Sequence, residues 1–289
     1  MSQLIQQLTQ LPCFDKIIQV HMLYSGLSAQ TFKVQTQQGE FFAKHIDAGL
    51  YVSTEVQCNL ITAAQGLTPN VIYYNKQWLV SDFIQGENIA NLTMCLDDKL
   101  DIVTSLMVSL HQQSINLPPL NIKQTITDLL NPLYYQPTQI ILLRKIAHQL
   151  DLSIQVKPNY VCHGDANFSN VLLAKNENNK PYLVDFECAC KADIEFDLAM
   201  LLAINNLDKS SYKAAFYYYE SHSTLYRKTK INTDLVMRYL GFSFLINALW
   251  FYNRFQQNST NTYYNRAKQQ FSLFDNLNIF DAKLNEQMR

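Results

Sequence analysis

Tyr160-Val-Cys-His163-Gly-Asp165-Ala-Asn-Phe-Ser-Asn170-Val-Leu-Leu173, followed by Tyr182-Leu-Val-Asp185-Phe-Glu187, is the stretch that decides how this chain reads. Residues 171–174 and 182–186 are apolar runs of strand length, and the polar residues 176–180 between them make a turn. A hairpin built this way holds Asn170 and Asp185 close together at its two outer ends. Asp165 lies five residues before Asn170, on the loop that feeds the hairpin.

Upstream the pattern stays strand-like. Residues 16–23, 31–36 and 41–46 read as three strands of an antiparallel meander, separated by Ser25-Gly26-Leu27-Ser28 and by Gln38-Gly39. A helix follows, with Thr54 and Gln57 as a capping box, Val56, Leu60, Ala63 and Ala64 as its apolar stripe, and Gly66 as its stop. Residues 71–74 and 78–83 pair as a hairpin ending near Gly86. From there helical periodicity takes over at 96–111, 125–130 and 139–150, and again from Phe196 onward. The fold class expected is α+β with two lobes: a strand-rich N-lobe, 1–84, and a mainly helical C-lobe, 85–289.

Composition narrows the function classes. The chain has 289 residues, 48% hydrophobic and 16% charged, which is enough apolar material for a large core. A net charge of −1, with no Lys/Arg run, argues against a nucleic-acid binder. The N-terminus has neither a basic start nor an apolar core of the kind a secretory signal needs. No uninterrupted apolar run reaches membrane-spanning length, and residues 240–255 read as a buried helix. The six cysteines lack metal-site spacing, so they read as core residues of a reduced, cytoplasmic protein.

The polar residues of the island match the needs of phosphoryl transfer. One carboxylate must take the proton of an attacking hydroxyl, while hard oxygen donors hold a magnesium ion on the phosphates. The plain alternative for any one fragment is an Asx-rich turn before a hairpin. Taken together, His163-Gly-Asp165 with Asn170, then Asp185-Phe-Glu187, resembles the signature of the aminoglycoside phosphotransferase and choline kinase superfamily. The resemblance implies a two-lobed, protein-kinase-like fold that uses ATP and Mg2+. By it Asp165 is the catalytic base, His163 braces the loop, Asn170 and Asp185 bind the metal, and Glu187 sits near the metal or the acceptor. Asp197 is similar to a family aspartate that holds the catalytic-loop backbone; read alone, it is an acidic residue favoured at a helix start.

On the nucleotide side, Ser25, Gly26 and Ser28 resemble the family's phosphate-covering loop. Lys44 ends an apolar strand, where an unpaired ammonium is costly to bury, and Glu55 on the next helix offers it a partner. A strand lysine on the phosphates, held by a helix glutamate, is the kinase arrangement. Asp82 and Ile84 lie where the resemblance puts a hinge, whose main chain would meet adenine.

Ser25-Gly-Leu-Ser28, residues 78–86, Leu110-His-Gln-Gln113 and residues 248–255 are most similar to bacterial thiamine kinase. Trp250 and Tyr252 are candidates for an aromatic wall facing a cationic acceptor such as thiamine, choline or ethanolamine; the competing role for such rings is core packing. Cys188, Cys190 and Ala192 depart from the family pattern. The other functions considered are an aminoglycoside phosphotransferase and an inactive kinase-fold nucleotide binder. The partners expected are ATP and a small alcohol, with no nucleic acid or membrane, in a monomer or homodimer.

Overall fold

The computed structural model describes residues 2–23, 29–46, 52–131, 133–223, 230–279 and 283–288. In chain order the elements are α1 (Ser2–Thr9), β1 (Ile17–Leu23), β2 (Gln30–Thr36), β3 (Glu40–His45), α2 (Val52–Ala64), β4 (Val71–Tyr74), β5 (Trp78–Asp82) and β6 (Gly86–Asn88). They continue with α3 (Leu96–His111), α4 (Ile122–Leu129), α5 (Pro137–Ile154), β7 (Tyr160–Cys162), β8 (Val171–Ala174), β9 (Lys180–Leu183) and β10 (Cys190–Ala192). The last are α6 (Ile194–Ile204), α7 (Lys209–His222), α8 (Thr233–Asn258), α9 (Asn261–Asn276) and α10 (Leu284–Gln287).

The chain divides into two compact units, Met1–Cys95 with Phe168–Ala189, and Leu96–Asn167 with Cys190–Arg289. The sequence division at 84/85 differs from this in two respects. The strand-rich unit runs on to residue 95, and it also takes in the hairpin 168–189. The cause is β6, which pairs antiparallel with β8, which in turn pairs with β9. Gly86 makes this possible, because a Cβ there would collide with the Leu173 carbonyl oxygen.

In the strand-rich unit the main sheet is antiparallel, in the order β1-β2-β3-β5-β4. Period-two alternation sends Phe32, Val34, Ala43, Trp78 and Val80 to one face, where they bury with Leu8, Leu11 and Phe14. The valine, leucine and phenylalanine side chains among them each contribute about 1.5–3 kcal/mol by leaving water. The opposite face carries Leu79, which clusters with Val56 of α2 and Ile46. Lys44 is the cross-strand partner of Leu79, so it faces α2 as well. Helix α2 starts at Val52, ahead of the expected Thr54–Gln57 capping box. Thr54 and Glu55 are therefore buried residues of its first turn and not its cap. Gly66 does stop the chain's helical path: its φ is +69°, and its N–H bonds the Ala63 carbonyl at 2.9 Å.

In the helical unit β7 and β10 form a two-stranded antiparallel ladder. Helix α6 is buried from Ile194 to Ala203, with α8 packed along it. Among the described residues α8 is the one helix long and apolar enough to cross a membrane, yet Tyr239–Leu245 and Ala248–Leu249 are buried within this unit. Its apolar character is that of a core helix. Helix α4 begins earlier than its periodicity suggests because Asn121 caps it, accepting the Gln124 N–H at 3.0 Å. Cys58, Cys162 and Cys190 are buried as expected, whereas Cys95 and Cys188 are exposed, which departs from a uniform core reading.

Candidate active site

The strand-rich unit gathers one ammonium and three carboxylates. Lys44 Nζ lies 2.8 and 3.1 Å from the two oxygens of Glu55, 2.7 Å from Asp185 Oδ1 and 3.3 Å from Glu187 Oε2. Strand β3 supplies the lysine, and the first turn of α2 supplies Glu55. The chain just past β9 supplies Asp185 and Glu187. The hairpin sets its ends as the sequence implies: the Val184 N–H bonds the Asn170 carbonyl at 2.9 Å, next to the Val171–Leu183 pair. Asp185 takes a left-handed backbone, φ +70°, which turns the chain out of the strand.

The cluster is graded in depth. Lys44 and Glu55 side chains are 7% and 6% exposed, while those of Asp185 and Glu187 are 35% and 37% exposed. Burial alone would lower Lys44, but Asp185, Glu55 and Glu187 outweigh it and hold the ammonium well above its usual range. Burial, reinforced by the Asp185 and Glu187 charges, pushes Glu55 up to about 7 in spite of Lys44. Three carboxylates facing one ammonium leave an excess of negative charge on the exposed side. Hard oxygen donors in that setting fit a divalent cation such as Mg2+, with Asp185, Glu187 and Asn170 as the candidate ligands.

The helical unit holds the loop that carries Asp165. After β7 the chain turns through His163, Gly164 and Asp165, with Gly164 at φ +76°. Asp197, fully buried near the start of α6, accepts the His163 N–H at 2.7 Å and the Gly164 N–H at 2.8 Å. Burial opposes its charge, but these donors and His111 hold its carboxyl below the usual range. The His163 ring folds back on the loop, its Nδ1 accepting the Asp165 N–H at 3.3 Å. Asn167 Nδ2 donates to Asp165 Oδ1 at 3.0 Å.

The remaining candidates are placed unevenly. Ser25, Gly26 and Ser28 lie outside the described residues. The Asp82 N–H is already bonded to the Asn70 carbonyl at 3.0 Å, and its side chain accepts from Asn70 Nδ2 at 2.9 Å. A cavity of about 420 Å³ touches Asp82 and Ile84, but it is lined further by Asn70, Lys180 and Tyr182 and not by the Lys44 cluster. Trp250 is half-buried, with the Arg254 guanidinium 5.0 Å from its ring centre. Tyr252 is also half-buried and lies 5.2 Å from the Tyr135 ring.

The model of the phosphotransferase enzyme family matches residues 22–230, a span that contains Lys44, Glu55, Asp165, Asn170, Asp185 and Asp197. The chain belongs to that family. A LicA homolog from Mycoplasma capricolum subsp. capricolum is 24% identical over 174 residues, covering 58% of this chain and 70% of that protein. Choline kinase LicA from Streptococcus pneumoniae superimposes with a TM-score of 0.75 at 15% identity, covering 96% of this chain and 99% of the other. LicA in complex with AMP gives a TM-score of 0.76 at 16% identity, covering 95% and 98%. The family member therefore has the kinase-like fold, with an antiparallel strand-rich part and a mainly helical part.

Sequence reasoning missed His111 and Tyr219. His111 Nε2 lies 3.0 Å from Asp197 Oδ2, and its Nδ1 is 2.7 Å from the Tyr219 hydroxyl. His111 stood within a stretch quoted only for its family likeness. A single histidine ending a helix gives no local sign of what it will meet.

Proposed function

We propose that this phosphotransferase transfers the γ-phosphoryl group of ATP, with Mg2+, to the hydroxyl of a small cationic alcohol such as thiamine, choline or ethanolamine, in the cytoplasm. The observation that carries the reading is the ammonium of Lys44 held among Glu55, Asp185 and Glu187. Such a centre has the charge pattern that phosphates and a divalent cation require.

In this reading Lys44 binds the phosphates, and Glu55 keeps the lysine extended toward them. Asp185, Asn170 and Glu187 hold Mg2+, which when bound offsets the phosphate charge. The loop of Ser25, Gly26 and Ser28 covers the phosphates, and main-chain groups near Ile84 and the Asp82 carbonyl receive the adenine. Asp165 accepts the proton of the acceptor hydroxyl as its oxygen bonds to the γ-phosphorus; the bond to the bridging oxygen breaks and ADP leaves. His163 and Asp197 keep Asp165 in place. Tyr252 and Trp250 face the cationic part of the acceptor. Quaternary nitrogen is attracted to ring faces and to carboxylates; a polycationic aminoglycoside would call for a more acidic pocket.

The experiment is a screen of ADP release with Mg2+ and ATP over thiamine, choline, ethanolamine, homoserine and an aminoglycoside. Acceptor-dependent ADP release with one of the first three is expected. Release only with the aminoglycoside overturns the acceptor class, and nucleotide binding without turnover on any acceptor overturns the catalytic reading.

A further inference from the structure

His111, Cys162 and Asp197 place a ring nitrogen, a thiol and a carboxylate oxygen within 4.8 Å of one another, all buried. The group looks like a metal cage, but its atoms are already engaged. Asp197 Oδ2 accepts the His163 N–H at 2.7 Å and faces His111 Nε2 at 3.0 Å, while Oδ1 accepts the Gly164 N–H at 2.8 Å. Cys162 Sγ donates to the Asp193 carbonyl at 3.4 Å, and burial keeps the thiol well above its ordinary range. A thiolate ligand is therefore disfavoured.

What remains is a directed hydrogen-bond chain. An ionised Asp197 only accepts, so His111 Nε2 carries the proton and donates to it. In the neutral imidazole, Nδ1 is then the acceptor for the Tyr219 hydroxyl at 2.7 Å. Tyr219 is 1% exposed and His111 3% exposed, so bulk solvent does not reach this hydrogen bond. The chain joins α7 through Tyr219, α3 through His111 and α6 through Asp197, and it ends on the two peptide N–H groups immediately before Asp165.

We propose that His111 and Tyr219 are positioning residues for Asp165. They fix the rotation of the Asp197 carboxylate, which fixes the 163–164 backbone and hence the point from which the Asp165 carboxylate reaches an acceptor. The inference rests on the reading of Asp165 as the base. Without His111, Oδ2 keeps one donor and the carboxylate can rotate. A displacement near 1 Å at a reacting group costs about 10²-fold in rate.

The test compares His111→Ala, His111→Gln and Tyr219→Phe with the parent enzyme, in kcat, KM for ATP and melting temperature, with Asp165→Asn alongside. The glutamine amide can replace the donor to Asp197 but offers no second ring nitrogen to Tyr219. The result expected is a kcat lower by roughly 30- to 100-fold in His111→Ala at nearly unchanged KM for ATP, most of it restored in His111→Gln. Tyr219→Phe loses about three- to tenfold, since only the orienting hydroxyl is gone. A lowered melting temperature with unchanged kcat per folded molecule in His111→Ala and Tyr219→Phe overturns the proposal. If His111→Ala does not fold, unchanged kcat in Tyr219→Phe overturns it by itself. Stoichiometric zinc in the purified protein, lost in His111→Gln, overturns it in favour of a metal centre. Turnover retained in Asp165→Asn defeats the underlying catalytic reading; an inert Asp165→Asn beside a normal His111→Ala defeats only the positioning role.

Discussion

Lys44 Nζ stands 2.7 Å from Asp185 Oδ1, as close as it stands to its helix partner Glu55, although 141 positions of sequence separate lysine and aspartate. One ammonium thus ties β3 and α2 to the chain leaving β9. The consequence is that Lys44 and the candidate metal ligands form one electrostatic unit. Removing any member changes the charge felt by the rest.

Lys44→Met weakens ATP use strongly, and Glu55→Gln does so more mildly. In a double-mutant cycle on kcat/KM for ATP the two effects are strongly non-additive, because Glu55 acts by holding Lys44. Additive effects would show that the pair does not work as one.

Glu55 also gives a pH signature. Its folded carboxyl is raised to about 7, above its unfolded value, so between the two the native state binds more protons than the unfolded chain. This group's contribution to stability is complete below the ordinary carboxylate range and is lost as pH rises through about 7. The loss amounts to about 3 kcal/mol at most. Urea unfolding of the parent and of Glu55→Gln from pH 4.5 to 8, in EDTA, measures it. The parent loses stability relative to the variant as pH rises; parallel curves contradict the assignment.

Asp185→Asn replaces a candidate metal ligand with an amide while keeping the side chain's shape. ATP titrations with and without Mg2+ give a metal-dependent gain in affinity for the parent, and little or none for the variant. A full Mg2+ effect in Asp185→Asn would place the main ligand elsewhere.

Trp250→Leu raises KM for a cationic acceptor by roughly five- to thirty-fold, since a partly desolvated cation–π contact is worth about 1–2 kcal/mol. KM for ATP and the melting temperature stay nearly unchanged. The Arg254 guanidinium lies over one face of this ring, so the proposed acceptor contact requires the other face. A fall in stability with an unchanged acceptor KM would assign Trp250 to packing with Phe251 and Tyr263 instead.

The parts of this molecule that were legible in the sequence are those with local causes. Residues 171–174 are an aliphatic run before a polar turn, and they form β8 with the bounds expected. Lys44 was suspect because an ammonium in an apolar strand demands a partner, and Glu55 is that partner. The allocation of 168–189 to the strand-rich unit was not legible. It depends on β6, three residues of Gly-Glu-Asn with no apolar alternation, pairing with a strand more than eighty positions away. The start of α2 is misread from sequence because Thr54 and Gln57 have the capping-box types, yet both lie inside a helix that runs from Val52, Thr54 buried and Gln57 exposed. Asp197 is a different case: the residues alone gave only its helix-start position, and its hold on the backbone of residues 163–164, which the structure shows, was implied by the family resemblance. Arg254 over Trp250 could have been foreseen, as residues four apart on a helix are neighbours.

The most direct measurement follows labelled γ-phosphate from ATP to the acceptor that the screen selects, comparing the parent with Asp165→Asn at saturating Mg2+ and ATP. If Asp165 takes the acceptor proton, the variant binds ATP as the parent does, while its kcat for labelled product falls by roughly 10² or more. Product formed by Asp165→Asn at near-parental kcat would contradict the account.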